Sequence, residues 1–332
     1  KLRVWAVHRF TVASAAMAAI AAIAAVDAGP ASAATQDPVK VTIYAAGTLA
    51  RPFTEMAGEF EKSHPQIAIQ SQFGGSVKMV KQVTVLKQQA DIVAVADYTV
   101  IPKYMFGENG TQAWADWYAG FVGNAITFIY TPKSRFAKEI TADNWYDVLS
   151  RPGVEIGRSN PDTDPSGYQT LQMLNLAATH YRRPGLAEAI IRNAPETNIR
   201  DTETDLISAL QLGQIDYLAI YRSDALQHHF EYLKLPAAID LSDPKYSAAY
   251  AKSVVHTKNG VLSAKPIVYA LTIPLNAPHR EAAIEFVKFI LGPEGRKISA
   301  ANGFKTLAPA YVVHGDRMPS QLQPLTQPWQ EP

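Results

Sequence analysis

The sequence predicts an α/β protein built as two lobes, and three observations carry that prediction. A strand-turn-helix unit recurs three times with a hydroxyl-bearing residue near the join. The run Asp91-Ile92-Val93-Ala94-Val95-Ala96 is apolar almost throughout, as a strand covered on both faces of a parallel sheet would be. Far downstream, the proline-bounded strand Pro266 to Pro274 and an amphipathic helix after it are placed to return the chain to the lobe where it began.

Residues 1–33 stand apart from this pattern. Lys1, Arg3 and Arg9 precede an apolar run from Ala13 to Val26, which ends in Asp27, Gly29, Pro30 and Ala31-Ser32-Ala33. That order of basic, apolar and small-residue regions is a secretory signal, too short for a membrane span. The exported chain is therefore expected to begin at Ala34; an intact mass that still includes the leader would overturn this.

The first unit is the stretch from Val41 to Phe60. Val41, Ile43 and Ala45 alternate with Thr42 and Tyr44 as in a strand, and Leu49, Phe53, Met56 and Phe60 follow at helical spacing. Gly47 and Thr48 sit at the join, with Thr48 placed as an N-cap and Pro52 in the first turn, where a missing N–H costs little. The second unit runs from Ile67 through Gly74, Gly75 and Ser76 into a helix over 77–88. The third follows Val154 to Gly157, where the loop Ser159 to Gly167, containing Asp164 and Ser166, opens a helix through Tyr168, Leu171 and Leu174. Helix starts of this kind present amide N–H groups and hydroxyls that attract negative charge. Three of them make one shared anion site a better reading than three unrelated caps.

Between the second and third units, Ile101 to Phe106 reads as a helix and Ala125 to Tyr130 as a strand; beyond the third, Asp205 to Gly213 reads as a glycine-closed helix and Asp216 to Tyr221 as a strand. Arg280 to Leu291 reads as a helix burying Ala283, Phe286, Val287 and Ile290 against the first lobe. The expected division is residues 1–33 as leader, 39–120 with 272–325 as lobe 1, and 121–271 as lobe 2.

Composition narrows the function. Without the leader, Lys+Arg falls from 31 to 28 and Asp+Glu from 30 to 29, a net charge of −1, so there is no basic face for nucleic acid and no polybasic run for a membrane surface. The chain has no cysteine, which removes disulfides, thiolate metal sites and thiol nucleophiles. Ser242-Asp243-Pro244-Lys245 has the SxxK form of penicillin-recognising hydrolases without their companion motifs. His228 and His229, adjacent on a helix, diverge by roughly 100° and have no third ligand at a recognisable spacing. A non-enzymatic, freely diffusing periplasmic carrier without cofactor is the expectation, with a serine-type periplasmic hydrolase as the distant alternative.

The strings AAGTLARPF, FGGSVKMVKQVTVLKQQADIVAVADYTVIPKYM, ADWYAGFVGN, NPDTDPSGYQ, YRSDALQH, PIVYALTIP and REAAIEFVKFIL occur in this order along nearly the whole mature chain. They resemble the periplasmic tungstate/molybdate-binding proteins of ABC importers. The resemblance implies a type II periplasmic-binding-protein fold, an oxyanion in the cleft between lobes, and a membrane permease as partner. In that family hydroxyls and amides at the first two turns hold the anion, which points here to Gly47, Thr48, Gly75 and Ser76. The resemblance also makes Asp164 a ligand to the metal centre of the bound oxyanion. The family's second carboxylate, a Glu before Tyr-Arg-Ser, is Ile220 here; Asp224, one turn on, is the one nearby substitute.

From the residues alone, Asp164 near a dianion must be protonated, turned away as the N-cap of the helix at Pro165, or bonded to the anion's central atom. Tyr221 either donates into the cleft or packs as a buried strand residue, and Arg222, next along the strand, cannot easily share its face. Restoring a carboxylate at 220 is expected to cost stability and sharpen the preference for tungstate. Sulfate, phosphate, a ferric complex held by Tyr217 and Tyr221, or a small organic acid remain alternative cargoes for the same fold. A monomer is expected.

Overall fold

A computed structural model of the chain describes residues 37–107, 111–201 and 203–330; the expected leader lies outside these residues. The chain opens with β1 (Val39–Ala46), a 3-10 turn (Gly47–Leu49), α1 (Ala50–Ser63), β2 (Ile67–Gly74), α2 (Ser76–Thr84), β3 (Ile92–Val95), α3 (Val100–Met105) and β4 (Tyr118–Gly123). It continues through β5 (Ile126–Tyr130), α4 (Trp145–Leu149), β6 (Ile156–Ser159), α5 (Pro165–His180), α6 (Leu186–Arg192), β7 (Ile199–Arg200), α7 (Glu203–Gln211), β8 (Tyr217–Tyr221), α8 (Arg222–His228) and β9 (Glu231–Tyr232). After α9 (Ser247–Tyr250) and the hairpin β10 (Val254–Thr257) and β11 (Gly260–Ser263), it ends with β12 (Val268–Thr272), α10 (Arg280–Leu291), α11 (Pro293–Ala301), β13 (Lys305–Val313) and β14 (Thr326–Pro328).

Two sheets organise these elements. A seven-stranded sheet has the order β14-β13-β4-β12-β3-β1-β2, and a five-stranded sheet the order β7-β6-β8-β5-β9. The parallel sheet expected for the first lobe is in fact mixed: β1 pairs in parallel with β2 and β3, but β12 returns antiparallel between β3 and β4. Membership therefore changes sheets after Gly123 and again before Val268, so the expected boundaries at 120/121 and 271/272 fall inside β4 and β12.

Strand β4 escaped the sequence reading. Two of its residues, Gly120 and Gly123, lower strand propensity, yet all six positions are buried. At Gly120 a Cβ would lie 2.9 Å from Val268 Cγ1, so the neighbouring strand needs a residue without a side chain there.

The helices follow their sequence patterns more closely. Phe53, Met56 and Phe60 are the buried stripe of α1, and Phe60 meets Phe286 of α10 edge-on at 5.1 Å. This contact docks the returning helix on the first lobe, as its spacing predicts, and the aromatic pair adds about 0.5–1.5 kcal/mol beyond area burial. Among the described residues no helix is long and apolar enough to cross a membrane.

Candidate functional site

At the first turn, the structure corrects the expected role of Thr48. The N-cap position of α1 is Leu49, no side chain caps that end, and the Thr48 hydroxyl instead lies 2.9 Å from Tyr269 Oη on β12. At the second turn, Ser76 is the first residue of α2 and is fully buried. Its Oγ accepts the Ala96 N–H at 2.9 Å, from the residue just past β3. A hydroxyl that accepts one bond keeps its own proton to donate, so Ser76 is a fixed donor awaiting an acceptor.

At the third turn, Asp164 is the N-cap of α5, as its place before Pro165 allows. Its Oδ1 lies 3.4 Å from Ser166 N, and its Oδ2 accepts the Ser166 hydroxyl at 2.8 Å. Asp164 is 4% exposed, and burial pushes its carboxyl above the usual range, opposed by the Ser166 bond. Ser159, buried beside this turn, makes no hydrogen bond of ordinary geometry.

The second and third turns come from different sheets and meet. A Cβ on Gly75 would lie 2.5 Å from the Thr163 carbonyl oxygen and 3.1 Å from Asp164 Cβ, so the second turn touches the loop of the third directly. Tyr168 of α5 donates its hydroxyl to Asp97, just beyond β3, at 2.7 Å. The hairpin tip adds a further tie. Asn259 accepts from Lys81 Nζ of α2 at 3.0 Å and from Lys103 Nζ of α3 at 2.6 Å, while its Nδ2 donates to the Asp162 carbonyl at 2.6 Å.

Around Thr48 the structure assembles polar groups that the sequence reading missed. Asn124 Nδ2, between β4 and β5, lies 3.2 Å from Tyr269 Oη and donates to Ser223 Oγ at 2.8 Å. Its Oδ1 accepts the N–H of Ala125 at 2.9 Å and of Ser223 at 3.3 Å. Tyr269 was hidden in the apolar run PIVYALTIP, and only its hydroxyl at an otherwise aliphatic strand position hinted at a role. Tyr221 takes the packed option left open above: its hydroxyl donates to Gln169 of α5 at 2.8 Å, and its ring meets that of Tyr269 edge-on at 5.7 Å. Arg222 lies away from this group, where its guanidinium acts on Asp240.

Asp224, in the first turn of α8, is 2% exposed, and its Oδ2 has no hydrogen-bond partner. Burial pushes its carboxyl well above the usual range, and the charge of Asp164 adds to the shift. Gly47, Arg51, Gln211, Asp224 and Gln227 line one opening between the lobes. Ile220 is fully buried and belongs to a separate apolar cluster with Ile129, Leu206, Leu210, Leu218 and Ala225.

Two α/β sheets joined by connections after β4 and before β12, with a strand-to-helix turn of one touching a strand-to-helix turn of the other, are the architecture of a two-lobed solute-binding protein. Residues 41–305 match the family of bacterial extracellular solute-binding proteins, and the chain belongs to that family. It is 39% identical over 290 residues to a solute-binding protein of Petrotoga mobilis, covering 86% of this chain and 89% of the relative. It is 36% identical over 321 residues to the molybdate/tungstate-binding protein WtpA of Pyrococcus abyssi, covering 88% of this chain and 91% of that protein. Among solved structures, the periplasmic molybdate-binding protein of Azotobacter vinelandii superposes with a TM-score of 0.58 at 18% identity, over 80% of this chain and 98% of that one. That likeness gives the type II periplasmic-binding-protein fold.

Proposed function

We propose that this protein binds a tetrahedral oxyanion, tungstate or molybdate, in the cleft between its lobes and delivers it in the periplasm to the membrane permease of an ABC importer. The observation that carries the reading is the meeting of two hydroxyl-bearing helix starts from different sheets, those at Ser76 and Asp164, with Ser76 accepting from Ala96 and so left with its own proton to donate. Similarity to WtpA supports the choice of anion. A fully deprotonated dianion needs only donors, and Thr48, Ser76 and the amides of the turns at Gly47 and Gly75 supply them. Protonated phosphate needs an acceptor as well, so it should bind more weakly than tungstate or molybdate.

A ferric cargo held by Tyr217 and Tyr221 fits the geometry poorly. The Tyr217 hydroxyl donates to the Arg135 carbonyl at 2.5 Å and that of Tyr221 to Gln169, at opposite ends of β8.

Calorimetric titration of the purified protein with tungstate, molybdate, sulfate and phosphate tests the reading. One tetrahedral anion per chain is expected. Hydrogen bonds to a charged group contribute roughly 1.5–3 kcal/mol, so Ser76→Ala and Thr48→Ala should each weaken binding about 10- to 100-fold. If both variants bind as the parent does, the turns are not the anion site.

A further inference from the structure

The hairpin β10–β11 pairs with neither large sheet, and its own packing does little to hold it. A two-stranded hairpin is marginally stable in water by itself, and of these strand residues only Val255 is buried. What fastens the hairpin is its base. Ser253 Oγ donates to the Gln172 carbonyl of α5 at 2.9 Å, and Gln172 Nε2 donates to the Leu262 carbonyl at 3.2 Å. Helix α5 packs on the five-stranded sheet, so the hairpin is an arm of the second lobe.

Its tip reaches the other lobe. Thr257 pairs with Gly260 across the turn Lys258-Asn259, and Thr257 Oγ1 accepts the Asn259 N–H at 3.1 Å, which fixes how Asn259 is presented. Asn259 Oδ1 then accepts from Lys81 Nζ of α2 at 3.0 Å, and its carbonyl oxygen from Lys103 Nζ of α3 at 2.6 Å. The Tyr104 ring, 5.8 and 5.5 Å from these two ammonium groups, favours their gathering despite like charge. On its own side the tip grips the loop of the third turn. Asn259 Nδ2 donates to the Asp162 carbonyl at 2.6 Å, Lys258 N donates to Asp162 Oδ1 at 2.8 Å, and Lys258 Nζ lies 3.5 Å from Asp162 Oδ2. The next residue, Thr163, accepts from Lys78 N of α2 at 3.4 Å. One asparagine therefore ties the loop of one sheet to the helices of the other.

Resting on the oxyanion reading of the cleft, we infer that this hairpin is a clasp and Asn259 a positioning residue: bonded to Lys81 and Lys103, the tip holds the 160–164 loop against α2 and sets how slowly a bound anion leaves. The bonds of Asn259 go to none of the groups assigned to the anion, so its effect falls on retention rather than recognition. An anion enters while the lobes are apart, before these bonds form, and it leaves only after they break. Contacts of that kind change dissociation more than association.

In the test, protein loaded with tungstate is chased with excess molybdate and the tungsten it retains is followed over time, alongside the rate of tungstate uptake and melting of the ligand-free protein. Asn259→Ala removes the side-chain bonds to Lys81 and Asp162, and should speed release about 10-fold while uptake stays within about 3-fold of the parent. Ligand-free Asn259→Ala should melt close to the parent temperature, because the tip buries no apolar side chain. Lys81→Met should also release faster, whereas Lys81→Arg, which keeps a charged donor, should restore slow release. Combining Asn259→Ala with Lys81→Met should add little to Asn259→Ala alone, since both remove the same bond. Release at the parental rate from both Asn259→Ala and Lys81→Met overturns this inference alone, as does faster release accompanied by a large drop in ligand-free melting temperature, which would mark a merely structural residue. A parent that takes up neither tungstate nor molybdate overturns the oxyanion reading, and this inference with it.

Discussion

Gly75→Ala should cost the protein most of its affinity while leaving each lobe folded. The backbone at Gly75 has φ −57° and ψ 132°, a conformation any residue adopts, so alanine strains nothing locally. The obstacle lies across the cleft. The new methyl group would sit 2.5 Å from the Thr163 carbonyl oxygen and 3.1 Å from both Thr163 C and Asp164 Cβ, and two of these three atoms are backbone, which cannot swing aside. Closing the lobes around a ligand would then force the loop that carries Asp164 to retreat by a large fraction of an ångström.

Overpacking of this kind costs about 1–3 kcal/mol wherever the two turns touch as they do here, which, where binding requires that contact, corresponds to a loss of about 10- to 100-fold in affinity. Gly75→Val, which adds two more carbon atoms at the same contact, should lose more. Any form of the protein in which the turns are apart gains from the substitution, because replacing glycine at a compatible backbone position restricts the unfolded chain and stabilises by about 0.4–1 kcal/mol. Calorimetry and melting of ligand-free protein check the two halves together. A Gly75→Ala protein that binds tungstate as tightly as the parent would show that the two turns do not have to touch for binding.

The contrast between Gly75 and Thr48 shows what a sequence discloses about such a site. The pair Gly74-Gly75 before a serine signals close approach, and Asp164 before Pro165 signals a cap; both devices are local, and both are present in the structure. Helix α10 was legible for the same reason, since its apolar residues recur every three or four positions and its buried face follows from that period. Thr48 also reads as a cap locally, but its partner, Tyr269, is 221 residues away, and local chemistry could not reveal that the hydroxyl turns toward it. Asn124 and Ser223 are likewise joined only by the fold, across a separation of 99 residues. Strand β4 was missed because its glycines answer to a neighbouring strand that returns much later in the chain. Asp224 attracted attention in the sequence only as a neighbour of position 220. What singles it out is a buried oxygen without a donor, a property no residue spacing reports.

Position 220 itself gives the second large effect, and there the structure keeps the stability loss expected from the sequence but argues against the sharper tungstate preference. Ile220→Glu should lower stability markedly and weaken tungstate binding rather than sharpen it. Along β8 the side chains alternate: Tyr217, Ala219 and Tyr221 belong to the large core that includes Tyr269, whereas Leu218 and Ile220 belong to the cluster with Leu206 and Leu210 of α7. Ile220 has no exposed surface, so a glutamate there must either stay charged without a partner or take up a proton. An uncompensated buried charge costs about 3–5 kcal/mol, which for a protein of this size lowers the melting temperature by on the order of 10 °C. Ala225, in the first turn of α8, packs in the same cluster, so position 220 lies beneath the turn that carries Asp224. A longer side chain that pushes against this turn displaces Ser223, which Asn124 ties to Tyr269 beside Thr48, and so disturbs the proposed anion site. Ile220→Gln separates the causes, because it keeps the shape of glutamate without its charge and should recover part of the stability and most of the affinity. Melting curves and tungstate titrations on both variants decide the matter. Tighter tungstate binding by Ile220→Glu, with a melting temperature within a degree or two of the parent, would show that residue 220 faces the ligand after all.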